Sequence, residues 1–247
     1  MAGSSRAKNL IVIAATPRSG STLLARTLKA SGATGPVAEV LMPETFHTFL
    51  RGFQRVRCFV QRPDRVLATA SRRSINASLQ RMASSPNSRN GILCIKVMWT
   101  DLESVLHRHE LDLPDLDIPI TWIRINRSDR LRQAVSWARA EQTQSWSSES
   151  PEERPPIYDF SQIRKFVGYL ERDNESWDSY LRSQASHALE ITYEQLIADY
   201  QGNVRRALDH IGAFGCDVPT PPIQKQADEI NEDWVERFQT DVEEFGF

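Results

Sequence analysis

Cysteine is scarce in this chain. Only Cys58, Cys94 and Cys216 occur among 247 residues, and they lie far apart. That odd, scattered set excludes a disulfide scaffold, offers no metal-ligand spacing, and predicts reduced thiols in a cytoplasmic protein. Long apolar runs are also missing, and none approaches the roughly 20 residues of a membrane span. The first apolar run, Leu10 to Ala15, is too short for the core of a secretory signal and meets Pro17-Arg18 almost at once. Nor is there an excess of one charge. The 30 Lys and Arg against 32 Asp and Glu leave a net charge of −2, so no broad basic footprint points to nucleic acid. A hydrophobic content of 40% supports a core. No internal repeat and no domain boundary stand out, so one domain over residues 1–247 is expected, with residues 1–8 a flexible start.

What is present centres on Leu10 to Leu28, which reads LIVIAATPRSGSTLLARTL. An apolar run of strand length leads into a short polar loop, and apolar residues at helical spacing follow. Strand, tight loop and helix form a phosphate-binding unit, because backbone N–H groups and the helix dipole converge on an anion. Set against the nucleotide-kinase pattern G-x-x-x-x-G-K-[ST], the octet Ala15 to Thr22 keeps Gly20 and Thr22 but has Ala15 for the first Gly and Ser21 for the Lys. A triphosphate is poorly served by such a loop. Arg18 still offers a planar fork to an oxyanion, beside the N–H groups of Ser19, Gly20, Ser21 and Thr22.

Downstream residues each admit two readings. Glu39 stands among apolar neighbours, either as a solvent-facing carboxylate or as a general base. Residues 43–90 hold many arginines, among them Arg51, Arg62, Arg72 and Arg81. They suit a solvated helical face or, less well, an acidic partner. A second strand begins at Ile92, and Lys96 interrupts it near its C-terminal end, where open α/β sheets gather ligands; the Lys either snorkels or serves an anion. Ile120 to Ile125 is a third strand. It ends in Asn126-Arg127-Ser128-Asp129, and the helix after it carries Ser136. That junction is either a capped helix with an exposed Arg or a second anion seat. The helix is expected to run on through Trp146, with Trp137 and Trp146 either core or sugar-stacking residues. Residues 147–156 are expected to form a loop and possible lid. A long amphipathic helix spans residues 159–186, a fourth strand follows at 188–192, and Thr192-Tyr193-Glu194 marks a strand-to-helix junction. The tail reads as a charged helix packed by Trp234 and Phe238.

Four patches resemble one family. Pro17-Arg18-Ser19-Gly20-Ser21-Thr22-Leu23-Leu24 is similar to the 5′-phosphosulfate loop of sulfotransferases that use 3′-phosphoadenosine 5′-phosphosulfate (PAPS), and more narrowly to that of the bacterial trehalose 2-sulfotransferase family. Ile95-Lys96-Val97-Met98-Trp99 resembles the family's G-x-K-x-M-W segment. Arg127 to Ser136 resembles its R-x-D-x-x-x-Q-A-V-S, with matches at Arg127, Asp129, Gln133, Ala134, Val135 and Ser136. Residues 225–238 resemble its C-terminal segment, with Lys225 for Arg and Phe238 for Tyr. Gly35 to Glu39 falls on the family's G-E-P-x-E, so Glu39 matches the second Glu, while Pro36 and Val37 depart from it on the acceptor side.

The resemblance implies a P-loop-like α/β fold, with a mostly parallel central sheet flanked by helices in three layers. It implies sulfuryl transfer from PAPS to a hydroxyl of a carbohydrate or glycolipid, with no metal. Glu39 would be the base, Arg18 and the loop amides would hold the 5′-phosphosulfate, and Lys96 would assist. Arg127 and Ser136 would hold the 3′-phosphate, and Trp234 would belong to a segment covering the nucleotide. A homodimer is implied as well. A PAPS-binding protein without turnover and a kinase-like P-loop protein remain as alternatives.

Overall fold

The computed structural model describes residues 8–35, 37, 39, 72–83, 91–109, 112–146, 151–184, 187–222 and 229–245. Most of the arginine-rich stretch, Pro36, residues 147–150 of the expected lid, and Lys225 lie outside the described residues.

Among the described residues, four parallel strands form one sheet in the order β2-β1-β3-β4. They are β1 (Asn9–Ala15), β2 (Ile92–Met98), β3 (Ile120–Asn126) and β4 (Leu189–Thr192). Strand β1 is central, pairing with β2 on one side and β3 on the other, and every residue from Leu10 to Ala15 is fully buried. Its side chains alternate between two cores. Leu10, Val12 and Ala14 pack with helices α2 (Arg72–Ala83) and α3 (Trp99–His109). Ile11, Ile13 and Ala15 pack with helix α1 (Ser21–Ala30) on the other face. A strand covered on both faces reads as a continuous apolar run, and for that reason it is so plain in the sequence.

Helix α4 (Arg130–Thr143) follows β3 and lies against the long α5 (Phe160–Ser183). Asp129 caps α4 by accepting from Arg132 N at 2.9 Å, and Asp159 caps α5 by accepting from Gln162 N at 2.9 Å. Helix α4 stops at Thr143, short of the expected Trp146. The Thr143 hydroxyl bonds back to the Arg139 carbonyl, Gln144 turns left-handed at φ 58°, and its amide caps the Glu141 carbonyl. After β4 come the short α6 (Tyr193–Ala198) and α7 (Tyr200–His210), which join the α1 face. The last helix, α8 (Glu229–Phe245), buries Trp234, Val235 and Phe238 against α4 and α5. The result is a helix–sheet–helix sandwich, as the family resemblance implied. Among the described residues no helix is long and apolar enough to cross a membrane.

Candidate active site

Chain connections leave β1 toward β2 on one side, while β3 lies on the other. Ligands in open parallel sheets collect outside the strand ends at such a switch point. The loop after β1 and the junction after β3 both open there.

The β1–α1 loop has the shape of an anion cradle. Gly20 is the N-cap of α1 at φ 84° and contributes no side-chain cap, so the first amides of α1 are left to a ligand. A side chain at Gly20 is doubly excluded: its φ is left-handed, and a Cβ would come within 2.7 Å of Tyr193 Cδ2. Arg18 is also left-handed, at φ 61°. Its Nε donates to Ser136 Oγ at 2.9 Å and its Nη1 to the Trp146 carbonyl at 2.6 Å. Burial, and next the charge of Arg127, lower the Arg18 pKa to about 10, so it stays cationic at neutral pH. The Gln133 side chain on α4 donates to Thr16 Oγ1 at 2.9 Å and to the Pro17 carbonyl at 2.6 Å, fastening the loop to that helix.

The β3–α4 junction brings the second cation. Arg127 lies over the Tyr193 ring, its Cζ 4.9 Å from the centroid. Its Nε is buried 4.0 Å from Glu194 Oε1, an ion pair without a hydrogen bond, and Ser19 Oγ in the loop is buried with no hydrogen-bond partner. Buried polar atoms left without a hydrogen bond are costly, and two beside one cradle mark a place where anionic oxygens fit. The amides of this junction, however, are already engaged. The Glu194 carboxylate accepts from Ser128 N at 3.0 Å and from Asp129 N at 3.3 Å. Arg127 and Ser136 therefore offer side-chain contacts only.

On the other side of the cradle, Lys96 at the end of β2 joins two elements. Its Nζ lies 2.7 Å from Glu39 Oε1 and 3.4 Å from Thr22 Oγ1 in the first turn of α1. The Lys96 side chain is 10% exposed and Glu39 38%. The acid singled out in the sequence thus stands beside the anion loop, with part of its carboxylate open to solvent.

The profile described as Stf0 sulphotransferase matches residues 10–241.

The chain belongs to the Stf0 sulphotransferase family.

It is therefore of the sulfotransferase class of enzymes. Two relatives match over nearly their full length. The trehalose 2-sulfotransferase of Mycobacterium tuberculosis is 25% identical, with 98% of each chain covered. That of Mycolicibacterium smegmatis is 26% identical, over 95% of this chain and 96% of the relative. A crystal structure of retinol dehydratase with retinol and PAP aligns with 96% of this chain and 81% of its own, at 15% identity and a TM-score of 0.42.

Within this family member the structure gathers Arg18, Ser19, Gly20, Ser21 and Thr22 in the loop, with Ser136 and Arg127 at its flank and Lys96 and Glu39 at its other side. Trp234 lies on the last helix. It is 4% exposed and packs edge-on to Tyr158 within the α4–α5–α8 core, in the packing role the residues alone suggested. Trp137 is likewise packed, stacked on Phe166 at 4.2 Å, whereas the Trp146 side chain is 47% exposed. Sequence reasoning missed three contributors. Tyr193 and Glu194 were visible only as a turn, and their contacts cross 173 and 66 residues of chain. Arg124 had a legible signal, a lone cation in an apolar strand. It is 1% exposed, donates to the Ile125 carbonyl at 3.1 Å and the Ala14 carbonyl at 3.4 Å, and bonds Asn174. Trp177 Nε1 grips the neighbouring Ala15 carbonyl at 2.9 Å. Together they hold the end of β1 from beneath the loop.

Proposed function

We propose that this enzyme moves a sulfuryl group from PAPS to a hydroxyl of a carbohydrate or glycolipid acceptor, with Glu39 as general base. The observation that carries the reading is the contact of Lys96 with both Glu39 and Thr22, which puts a proton acceptor beside the anion-binding loop. PAPS supplies the activated sulfuryl group and leaves as the 3′,5′-bisphosphate. The S–O bond to the acceptor forms as the S–O bond to the 5′-phosphate breaks, and the acceptor proton passes to Glu39. The Arg18 guanidinium and the amides of Ser19 to Thr22 hold the negative charge that gathers on the 5′-phosphate side. Lys96 neutralises charge on the sulfuryl oxygens while keeping Glu39 in place. Arg127 and Ser136 hold the 3′-phosphate, and Arg127 Nε and Ser19 Oγ, neither of which has a hydrogen bond in the structure, gain one. Trehalose, the acceptor in the names of both relatives, is the first sugar to test.

Calorimetric titration of the 3′,5′-bisphosphate into wild type and Arg127→Ala tests the donor half. Loss of one charged contact weakens binding by about 10- to 100-fold. An unbound wild type, or an Arg127→Ala with unchanged affinity, overturns this assignment. Sulfation of trehalose with PAPS tests the acceptor half.

A further inference from the structure

The strand-to-helix corner Thr192-Tyr193-Glu194 touches both anion-binding elements at once. Asn126 and Thr192 are register partners on β3 and β4, so Arg127 and Tyr193 leave adjacent strand ends side by side. The Tyr193 ring fills the space where Gly20 would carry a Cβ, with its Cδ2 2.7 Å and its Cε2 3.5 Å from that position. Arg127 lies over the same ring, 4.9 Å from its centroid. One rigid aromatic group thus separates the phosphate loop from the second cation. Its position is fixed from both sides. Thr192 and Gln195 form a reciprocal capping box at 3.1 and 3.0 Å, and the adjacent Glu194 carboxylate holds the Ser128 and Asp129 amides. An aromatic ring at the start of a capped helix has few torsions to relax, so it sets a distance in a way that a flexible side chain does not.

We propose that Tyr193, anchored through Glu194, is the spacer that fixes the separation of the loop seat and the Arg127 seat, and so selects a nucleotide whose second phosphate is on the 3′ rather than the 2′ oxygen. This rests on the donor assignment above. Tyr193 acts as a positioning residue: it takes no part in the chemistry, and it discriminates by geometry between ligands of equal charge. Glu194 contributes by taking the junction amides, which denies a misplaced phosphate an alternative set of donors.

Adenosine 3′,5′-bisphosphate and adenosine 2′,5′-bisphosphate, equal in charge and composition, separate geometry from electrostatics. Each is titrated calorimetrically into wild type, Tyr193→Phe, Tyr193→His and Tyr193→Leu, with circular dichroism as the check on folding. Wild type and Tyr193→Phe are expected to favour the 3′,5′ isomer by about tenfold or more, because a misplacement of about 1 Å is enough for such a loss. Tyr193→Leu is expected to bring the two isomers within about threefold of each other, with the smaller flat ring of Tyr193→His in between. A generally destabilised fold would weaken both isomers alike and leave their ratio unchanged. A wild type that binds the 3′,5′ isomer without preference, or a folded Tyr193→Leu or Tyr193→His that keeps the full preference, overturns the spacer and leaves the donor assignment standing. A wild type that binds neither isomer overturns both.

Discussion

Replacing Glu39 by Gln keeps the shape of the side chain and removes its ability to take a proton. In the structure Glu39 Oε1 is 2.7 Å from Lys96 Nζ. The Gln amide oxygen can accept from the same ammonium, so the local arrangement is preserved. Because the Glu39 carboxylate is 38% exposed, the pair contributes at most about 1 kcal/mol to stability, equivalent to a shift in Tm of about 2–4 °C for a chain of this size. In the proposed donor site the bisphosphate product is held by Arg18, Arg127 and the loop rather than by Glu39, so its affinity should stay within about twofold of wild type, well under the tenfold that 1.4 kcal/mol would produce. Turnover is different. Loss of a positioned general base costs about 10²- to 10⁴-fold in rate, or about 2.7–5.4 kcal/mol of barrier at 1.36 kcal/mol per decade. Three measurements on one preparation read these quantities: transfer of labelled sulfate from PAPS to trehalose, calorimetry with the bisphosphate, and a thermal melt. A variant that turns over within tenfold of wild type refutes the base assignment. One that loses both activity and nucleotide affinity refutes the separation of base and donor site.

Two further predictions concern the frame. Arg124→Met removes the donors that hold the Ala14 and Ile125 carbonyls and leaves Asn174 without its guanidinium partner. It should cost about 3 kcal/mol and lower Tm by roughly 6–12 °C, and a melt within 2 °C of wild type, on the order of the smallest shift expected for 1 kcal/mol, would contradict the clamp. The second is acid sensitivity at the start of α4. Burial alone raises the carboxyls of Asp129 and Glu194, but the backbone amides and neighbouring arginines outweigh it, and both pKa values fall below their ordinary 3.8 and 4.5. Each group therefore contributes stability that is fully present above its ordinary value and lost as pH falls through the lower folded value. The double variant Asp129→Asn, Glu194→Gln should show a flatter decline of denaturation midpoint below about pH 4.5, and an unchanged decline would remove these carboxyls from the account.

The parts of the site readable from sequence are those in which neighbouring residues do the work. The β1–α1 cradle is nine or so positions of contiguous chain whose backbone forms the seat, so Arg18, Gly20 and Thr22 could be picked out by spacing. A cap at Ser128 or Asp129 was legible for the same reason, and the structure assigns it to Asp129, whose acceptor reaches only three residues along. The long apolar run of β1 and the spacing of Ile163, Phe166 and Leu170 on α5 carried their own burial patterns. Where a helix ends was less legible. Gln144 adopts a left-handed conformation without being Gly, and nothing in its identity announces that turn.

By itself, then, the sequence determined the buried strands, the amphipathic helices and the strand–loop–helix unit of Leu10 to Leu28, because strand burial, helix amphipathicity and loop chemistry are written in adjacent residues, whereas the parallel order of the sheet and the site readings of Glu39, Lys96 and Arg127 came with the family resemblance. Only the tertiary structure decided who meets whom. It placed Lys96 between Glu39 and Thr22, seated Arg18 on Ser136 and on the Trp146 carbonyl, filled the Ser128 and Asp129 amides ahead of α4 with Glu194, and set Tyr193 between Gly20 and Arg127. The physical reason is that these contacts join side chains from different strand ends. Their distances depend on strand register and on the packing of helices across the sheet, and no local pattern encodes either.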